Sequence, residues 1–182
     1  MRTIAVTQNI TLDGSIEFLG DWFHPTAESS DQFELVAELS ARSDGLLLGR
    51  QTFEDFRGYW PVQTDDKTGI TAHLNAVQKY VVSSTLGDPG WENTTVLSGD
   101  VVSDVEALRK QDGRDIVVTG SIRLCHTLIT AGLVDEFRLF TYPAVQGCGR
   151  RLFPDGYALT QLMLDDARTF RSGVTFSCYR VG

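Results

Sequence analysis

The run Gly45, Leu46, Leu47, Leu48 and Gly49 is apolar on both faces of any strand it forms. A strand without a polar face must be covered on both sides, the usual condition of a parallel sheet clad by helices. The flanking sequence agrees with this. Ser29 and Ser30 precede a segment in which Phe33, Val36, Ala37 and Leu39 recur at helical spacing through Arg42, so a serine-capped helix leads into the strand. Residues 51–57 and 72–78 read as further helices, and 79–83 and 94–97 as strands. Residues 101–110 read as a helix, 116–118 as a second buried strand, and 121–131 as a helix closed by Gly132. Residues 3–8 alternate and supply an opening strand. Such alternation of strands and helices predicts an α/β fold with a largely parallel sheet. The tail differs: residues 136–141, 159–164 and 174–181 read as strands with no helix between them, which predicts an antiparallel C-terminal edge.

With 182 residues the chain is long enough for one well-buried core, and the polar stretch 63–68 is too short to divide it, so a single domain over residues 1–182 is expected. Acidic side chains outnumber basic ones by 24 to 16, and no basic stripe offsets them. Binding to nucleic acid or to anionic lipid is therefore not expected. No apolar window approaches the roughly 18 residues of a membrane span, and no leader pattern is visible at the start. Cys125, Cys148 and Cys178 lie far apart, and neither they nor His24, His73 and His126 show ligand spacing. Reduced thiols, no metal and a cytoplasmic location are the expectation. Asp65, Asp66, Asp165 and Asp166 read as solvated loop and turn charges.

An alternating sheet gathers ligands at the carboxyl ends of its strands, so the residues after each strand carry the functional information. Gly49, Arg50, Gln51 and Thr52 follow the Leu46–Leu48 run, placing a cation and a hydroxyl at a helix start whose free amides favour anions. Ser83, Ser84 and Thr85 follow the next strand and suit a ribose or a further phosphate. Thr119, Gly120 and Ser121 follow another, again opening a helix, with Arg123 one step inside. Three such junctions in one sheet point to a ligand with several phosphates. The commonest signatures for that chemistry are absent: no GxGxxG opens a helix after a strand, and neither a P-loop nor a GxSxG elbow occurs. The Gly147–Leu152 segment mimics the first but runs into a turn at Phe153, Pro154, Asp155 and Gly156.

In order along the chain, the segments Thr11 to Gly14, Leu47 to Phe53, Lys79 to Leu86, Val118 to Ser121, Gly132 to Glu136 and the Gly147 to Phe153 loop resemble the dihydrofolate-reductase-like superfamily. The branch most similar is the C-terminal reductase domain of the bifunctional riboflavin-biosynthesis deaminase-reductase. The resemblance implies a three-layer αβα fold around a mixed sheet, NADPH as cofactor, and a homodimer paired through the C-terminal strands. It implies that Gly49, Arg50 and Thr52 meet cofactor phosphates, that Ser83, Ser84 and Thr85 meet the 2′-phosphate, and that Gly120, Ser121 and Ile122 meet the pyrophosphate. Asn9 and Ile16 would flank the nicotinamide. Many relatives carry Gly-Gly where this chain has Gly120-Ser121, so the serine requires a backbone without positive φ at position 121.

The resemblance also implies a carboxylate that assists protonation, and two candidates arise. Glu34 lies on the first helix, where a solvated face is the competing reading. Asp13 lies in the loop beside the expected nicotinamide, where a turn carboxylate bonded to its own backbone competes. Trp22, Phe23, Tyr59 and Trp60 would wall a cleft for a flat heterocycle or, alternatively, pack as core and loop. The expected function is NADPH-dependent reduction of a pteridine- or pyrimidine-like small molecule. The alternatives are a non-catalytic nucleotide-binding or regulatory protein on the same fold and a structural dimerisation module.

Overall fold

The computed structural model describes residues 1–23, 29–66, 68–158 and 161–182. Its strands are β1 (Ile4–Thr11), β2 (Ser43–Gly49), β3 (Gln78–Val82), β4 (Thr94–Leu97), β5 (Asp115–Gly120), β6 (Glu136–Tyr142), β7 (Leu162–Thr169) and β8 (Thr175–Val181). The helices are α1 (Ser30–Ala41), α2 (Arg50–Tyr59), α3 (Ile70–Ala76), α4 (Val101–Arg109) and α5 (Ile122–Thr130). One sheet holds the strands in the order β4-β3-β2-β5-β1-β6-β8-β7. Every pairing from β4 to β6 is parallel, and β8 runs antiparallel to both β6 and β7.

Side-chain alternation divides the core between the two faces of the sheet. Ile4, Val6, Leu47, Ile116, Val118 and Phe137 project to one face and are covered by α4 and α5 through Val105, Leu108, Leu124 and Leu128. On the other face Leu46, Leu48 and Val81 pack against Phe53 of α2 and Leu74 of α3. A separate cluster there joins Leu35 of α1 to Phe140, Phe170, Phe176 and Cys178. Leu46 to Leu48 thus feed opposite cores, as a two-faced apolar strand requires. None of the described helices is long and apolar enough to cross a membrane.

The two clusters on the second face do not merge. Between them, toward the amino ends of the strands, Arg138 of β6 reaches across the width of β1 to Asp115 of β5 while also holding Glu136 of its own strand. Arg138 is fully buried, and Arg42 adds a second guanidinium 3.7 Å from Asp115 and 3.6 Å from Glu136. A polar bar therefore occupies the space that apolar packing would otherwise fill, and beyond it the face opens into a cleft.

Several elements depart from the sequence reading. The third helix covers residues 70–76 rather than 72–78, because Gln78 already pairs with Gly45 in the sheet. Ser29 does occupy the N-cap of α1, but its hydroxyl makes no capping bond. Asp165 and Asp166 lie within β7, not in a turn. That strand is an edge with largely exposed side chains, so burial imposes no apolar pattern on it. Asp165 accepts from Arg180 of β8, and Asp166 from Arg168. Leu159, the expected start of this strand, and His24 lie outside the described residues.

Removing Arg138 leaves two carboxylates in a largely dry environment with only the half-exposed Arg42 beside them. Arg138→Ala is expected to lower stability by about 3–5 kcal/mol in urea unfolding, the usual loss when one partner of a buried ion pair is deleted. A loss near that of an exposed ion pair, below about 1 kcal/mol, would contradict this role.

Candidate functional site

Because β1 to β6 run parallel, their carboxyl ends share one edge of the sheet, and the three junctions singled out in the sequence meet there. Gly49 ends β2 and Gly120 ends β5, and the two chain segments approach closely. A Cβ on Gly49 would stand 2.3 Å from Ser121 Oγ and 3.0 Å from the Ser121 amide nitrogen, and one on Gly120 would stand 2.7 Å from Thr52 Oγ1. Gly120 carries a φ of 150°, while Ser121 has φ −71°, so the serine sits in an ordinary conformation and the left-handed residue is the glycine. The Gly120-Ser121 peptide is cis. From the first turn of α2, Arg50 Nη1 donates to Thr85 Oγ1 at 2.7 Å, joining the β2 junction to the loop after β3.

The helix starts at this edge differ in their readiness for an anion. Asp100 caps α4 by accepting from the Ser103 amide at 2.9 Å. The first turns of α2 and α5 have neither a side-chain cap nor an acidic residue. Their free amides and positive dipole ends are open to a negatively charged group. Ser83 is turned inward: it is buried, and its Oγ accepts from the Thr85 and Leu86 amides, so it shapes the loop. Ser84 and Thr85 are exposed on that loop, and Ile122 is half-buried at the start of α5.

A cleft of about 190 Å³ opens between α1 and α2–α3, between the two separate apolar clusters. Val36 and Leu39 of α1 form one wall, and Phe56 and Trp60 the other. Thr7 of β1 and Thr119 of β5 line its floor. Thr119 directly precedes Gly120, so the cleft is continuous with the strand-end rim, and α2 contributes to both. Asn9 lies two residues beyond Thr7 on the same side of β1. Ile16 does not join it there, since its side chain is buried in the core on the α5 side of the sheet. A larger cavity of about 630 Å³ opens toward the amino ends of the strands and shares Ser40, Ile70 and His73 with the cleft, but the junctions do not reach it.

The two expected acids stand elsewhere. Glu34 is exposed on α1, and the inward polar residue of that helix is Gln32, which donates to Tyr142 Oη at 3.1 Å and accepts from Ser172 Oγ. Asp13 ties two loops together: it accepts from Thr11 Oγ1 at 2.6 Å, from the Gly147 amide at 2.8 Å and from the Gln146 amide at 3.1 Å. Those donors, led by the Thr11 hydroxyl, draw its pKa down to about 2, so it stays ionised and is unsuited to give up a proton near neutral pH. Gln146 extends the tie by donating to Ser15 Oγ and accepting from Trp22 Nε1, and Arg150 pairs with Glu17. The Gly147–Leu152 segment is therefore half of this interlock. Trp22 and Phe23 cluster with Phe18 and Tyr142, leaving Trp60 as the expected aromatic that reaches the cleft.

The same fold is found in solved structures. It matches a pyrimidine reductase-like protein from Corynebacterium diphtheriae with a TM-score of 0.71 at 16% identity, over 100% of this chain and 92% of that one. It matches the diaminohydroxyphosphoribosylaminopyrimidine deaminase/5-amino-6-(5-phosphoribosylamino)uracil reductase of Thermotoga maritima with a TM-score of 0.69 at 15% identity, over 100% of this chain and 57% of that one. In sequence, residues 2–176 match the RibD C-terminal domain model, and the chain belongs to that family. The uncharacterized protein YyaP of Bacillus subtilis (strain 168) is 33% identical over 186 aligned residues, 98% of this chain and 94% of YyaP.

The Asp13 tie has a pH signature. Because its pKa is depressed in the folded state, its contribution is present above about pH 3.8 and is lost as pH falls toward about 2. Between those limits the wild type should lose stability more steeply than Asp13→Asn in urea unfolding followed against pH. Parallel curves would remove Asp13 from the tie.

Proposed function

We propose that the chain is an NADPH-dependent reductase of a small pteridine- or pyrimidine-like ring compound. Membership of the RibD C-terminal domain family supports a reductase-like role. The observation that carries the cofactor reading is the meeting of the β2–α2, β3 and β5–α5 junctions on one rim, with two uncapped helix starts, a guanidinium and an adjoining apolar cleft.

The rim residues fit a dinucleotide phosphate. Arg50 and Thr52 would hold phosphate oxygens, Ser84 and Thr85 beside Arg50 would hold a ribose phosphate, and the amides of Ser121 and Ile122 would hold the pyrophosphate. Gly49 and Gly120 keep this surface free of side chains. Bound there, NADPH supplies a hydride, the part of the chemistry that no side chain can provide. Asn9 and the cleft walls orient the ring and exclude bulk water. Asp13 and Glu34 do not line the cleft, so neither is placed there to supply the accompanying proton.

That same lack of a cleft carboxylate is what a non-catalytic nucleotide-binding protein would show, and oxidation of NADPH in the presence of a ring substrate separates the two readings. For the cofactor assignment itself, Arg50→Ala should weaken NADPH binding by about 1.5–3 kcal/mol, the worth of a charged hydrogen bond, in a titration followed by nicotinamide fluorescence. An unchanged affinity would overturn the phosphate role of Arg50.

A further inference from the structure

The chemistry of the cleft lining narrows what it accepts, on the basis of the reductase reading above. Among the described residues lining it, His73 is the one titratable side chain. Burial lowers the pKa of His73, and the charges of Lys79 and Arg114 lower it further, so the ring is neutral near pH 7.

None of the cations carried by the surrounding elements is among the residues that line the cleft. Arg42 and Arg138 face Asp115 and Glu136, with Arg138 Nη1 left without a partner among the described residues, and Arg114 donates to the Ala41 carbonyl beside the adjoining cavity. Arg57 donates to the Pro89 carbonyl at 2.8 Å and lies over the Phe53 ring. Arg50 is at the rim with Thr85 and Glu54. Lys79 is fully buried, donating to the Leu74 and Val77 carbonyls with its ammonium 4.6 Å from the Trp91 ring centre. A phosphate drawn into this space would lose its hydration with no lysine or arginine among the lining residues to meet it, a heavy penalty for a buried anion.

What the cleft does offer is a pair of hydroxyls. Thr7 and Thr119 lie on adjacent strands, each one residue past the paired Val6 and Val118. Neither hydroxyl is hydrogen-bonded to another described residue. A volume of about 190 Å³ suits a single or fused ring rather than a ring bearing a phosphorylated sugar.

We propose that the cleft takes an uncharged, phosphate-free ring compound, its faces against Val36, Leu39, Phe56 and Trp60 and its polar edge hydrogen-bonded by Thr7 and Thr119. Such a substrate differs in kind from the phosphoribosylamino-uracil in the name of the Thermotoga maritima protein.

The test uses the full chain saturated with NADPH and three probes, lumazine, uridine and uridine 5′-monophosphate, with dissociation constants measured by saturation-transfer NMR. Lumazine or uridine should bind at least about tenfold more tightly than the monophosphate, given the penalty for an unpaired buried charge. Thr7→Val and Thr119→Val, checked for folding by circular dichroism, should each weaken that binding by roughly 3–10-fold, the worth of one hydrogen bond, and Thr7→Val should leave NADPH affinity unchanged. Monophosphate binding as tight as uridine binding, or probe binding indifferent to both valine variants, overturns the proposal. So does failure of every probe to bind a protein that binds NADPH. A protein that does not bind NADPH removes the reductase reading instead, and the same probe comparison without cofactor still decides what the cleft prefers.

Discussion

The close approach of β2 and β5 at their carboxyl ends is the constraint on which the rest of the site depends. A methyl group on either Gly49 or Gly120 would collide with Ser121 or Thr52, so two glycines allow two helix starts to sit side by side. Everything placed at the rim follows from that contact: the open amides of α2 and α5, the position of Arg50 beside the β3 loop, and the line from Thr119 into the cleft. The apolar Leu46 to Leu48 run makes the approach possible, because its burial between two cores fixes where the end of β2 must lie.

The second constraint is the division of the α1–α3 face. A face this apolar would ordinarily close over, since burying more hydrocarbon is favourable at about 25 cal/mol per Å². Here Arg138, Asp115 and Glu136 hold the clusters apart at one end, and the cleft occupies the other. Buried ion pairs contribute little net stability compared with well-packed hydrocarbon, so their value in this fold is spacing. The loop interlock around Asp13 and Gln146 works in the same sense, tying the segments after β1 and β6 beside the strand ends.

Much of this architecture could be read along the chain. The double burial of β2 was legible because three consecutive leucines leave no polar face, and the rim junctions because glycine followed by a cation or hydroxyl marks a strand-to-helix turn. Other features had no local signature. Arg138 and Glu136 alternate like any exposed pair, and only the width of β1 and the position of Asp115 reveal a buried bar. Asp165 and Asp166 looked like turn residues because an exposed edge strand carries no burial pattern. Ser83 looked like a ligand contact, but its hydroxyl is used by two amides of its own loop. Thr7 and Thr119 are polar residues on inward-facing positions of buried strands, a signal that was present but meaningless until the cleft gave them a purpose.

The most direct measurement is amide NMR of the isotope-labelled full chain during titration with NADPH. The largest shifts are predicted at Arg50 to Thr52, Ser84 to Thr85 and Gly120 to Ile122, with Thr119 moving as the adjoining floor is covered. Shifts gathered instead around Asp44, Gly69 and Arg114 at the amino ends of the strands, or no shifts at saturating cofactor, would contradict the account.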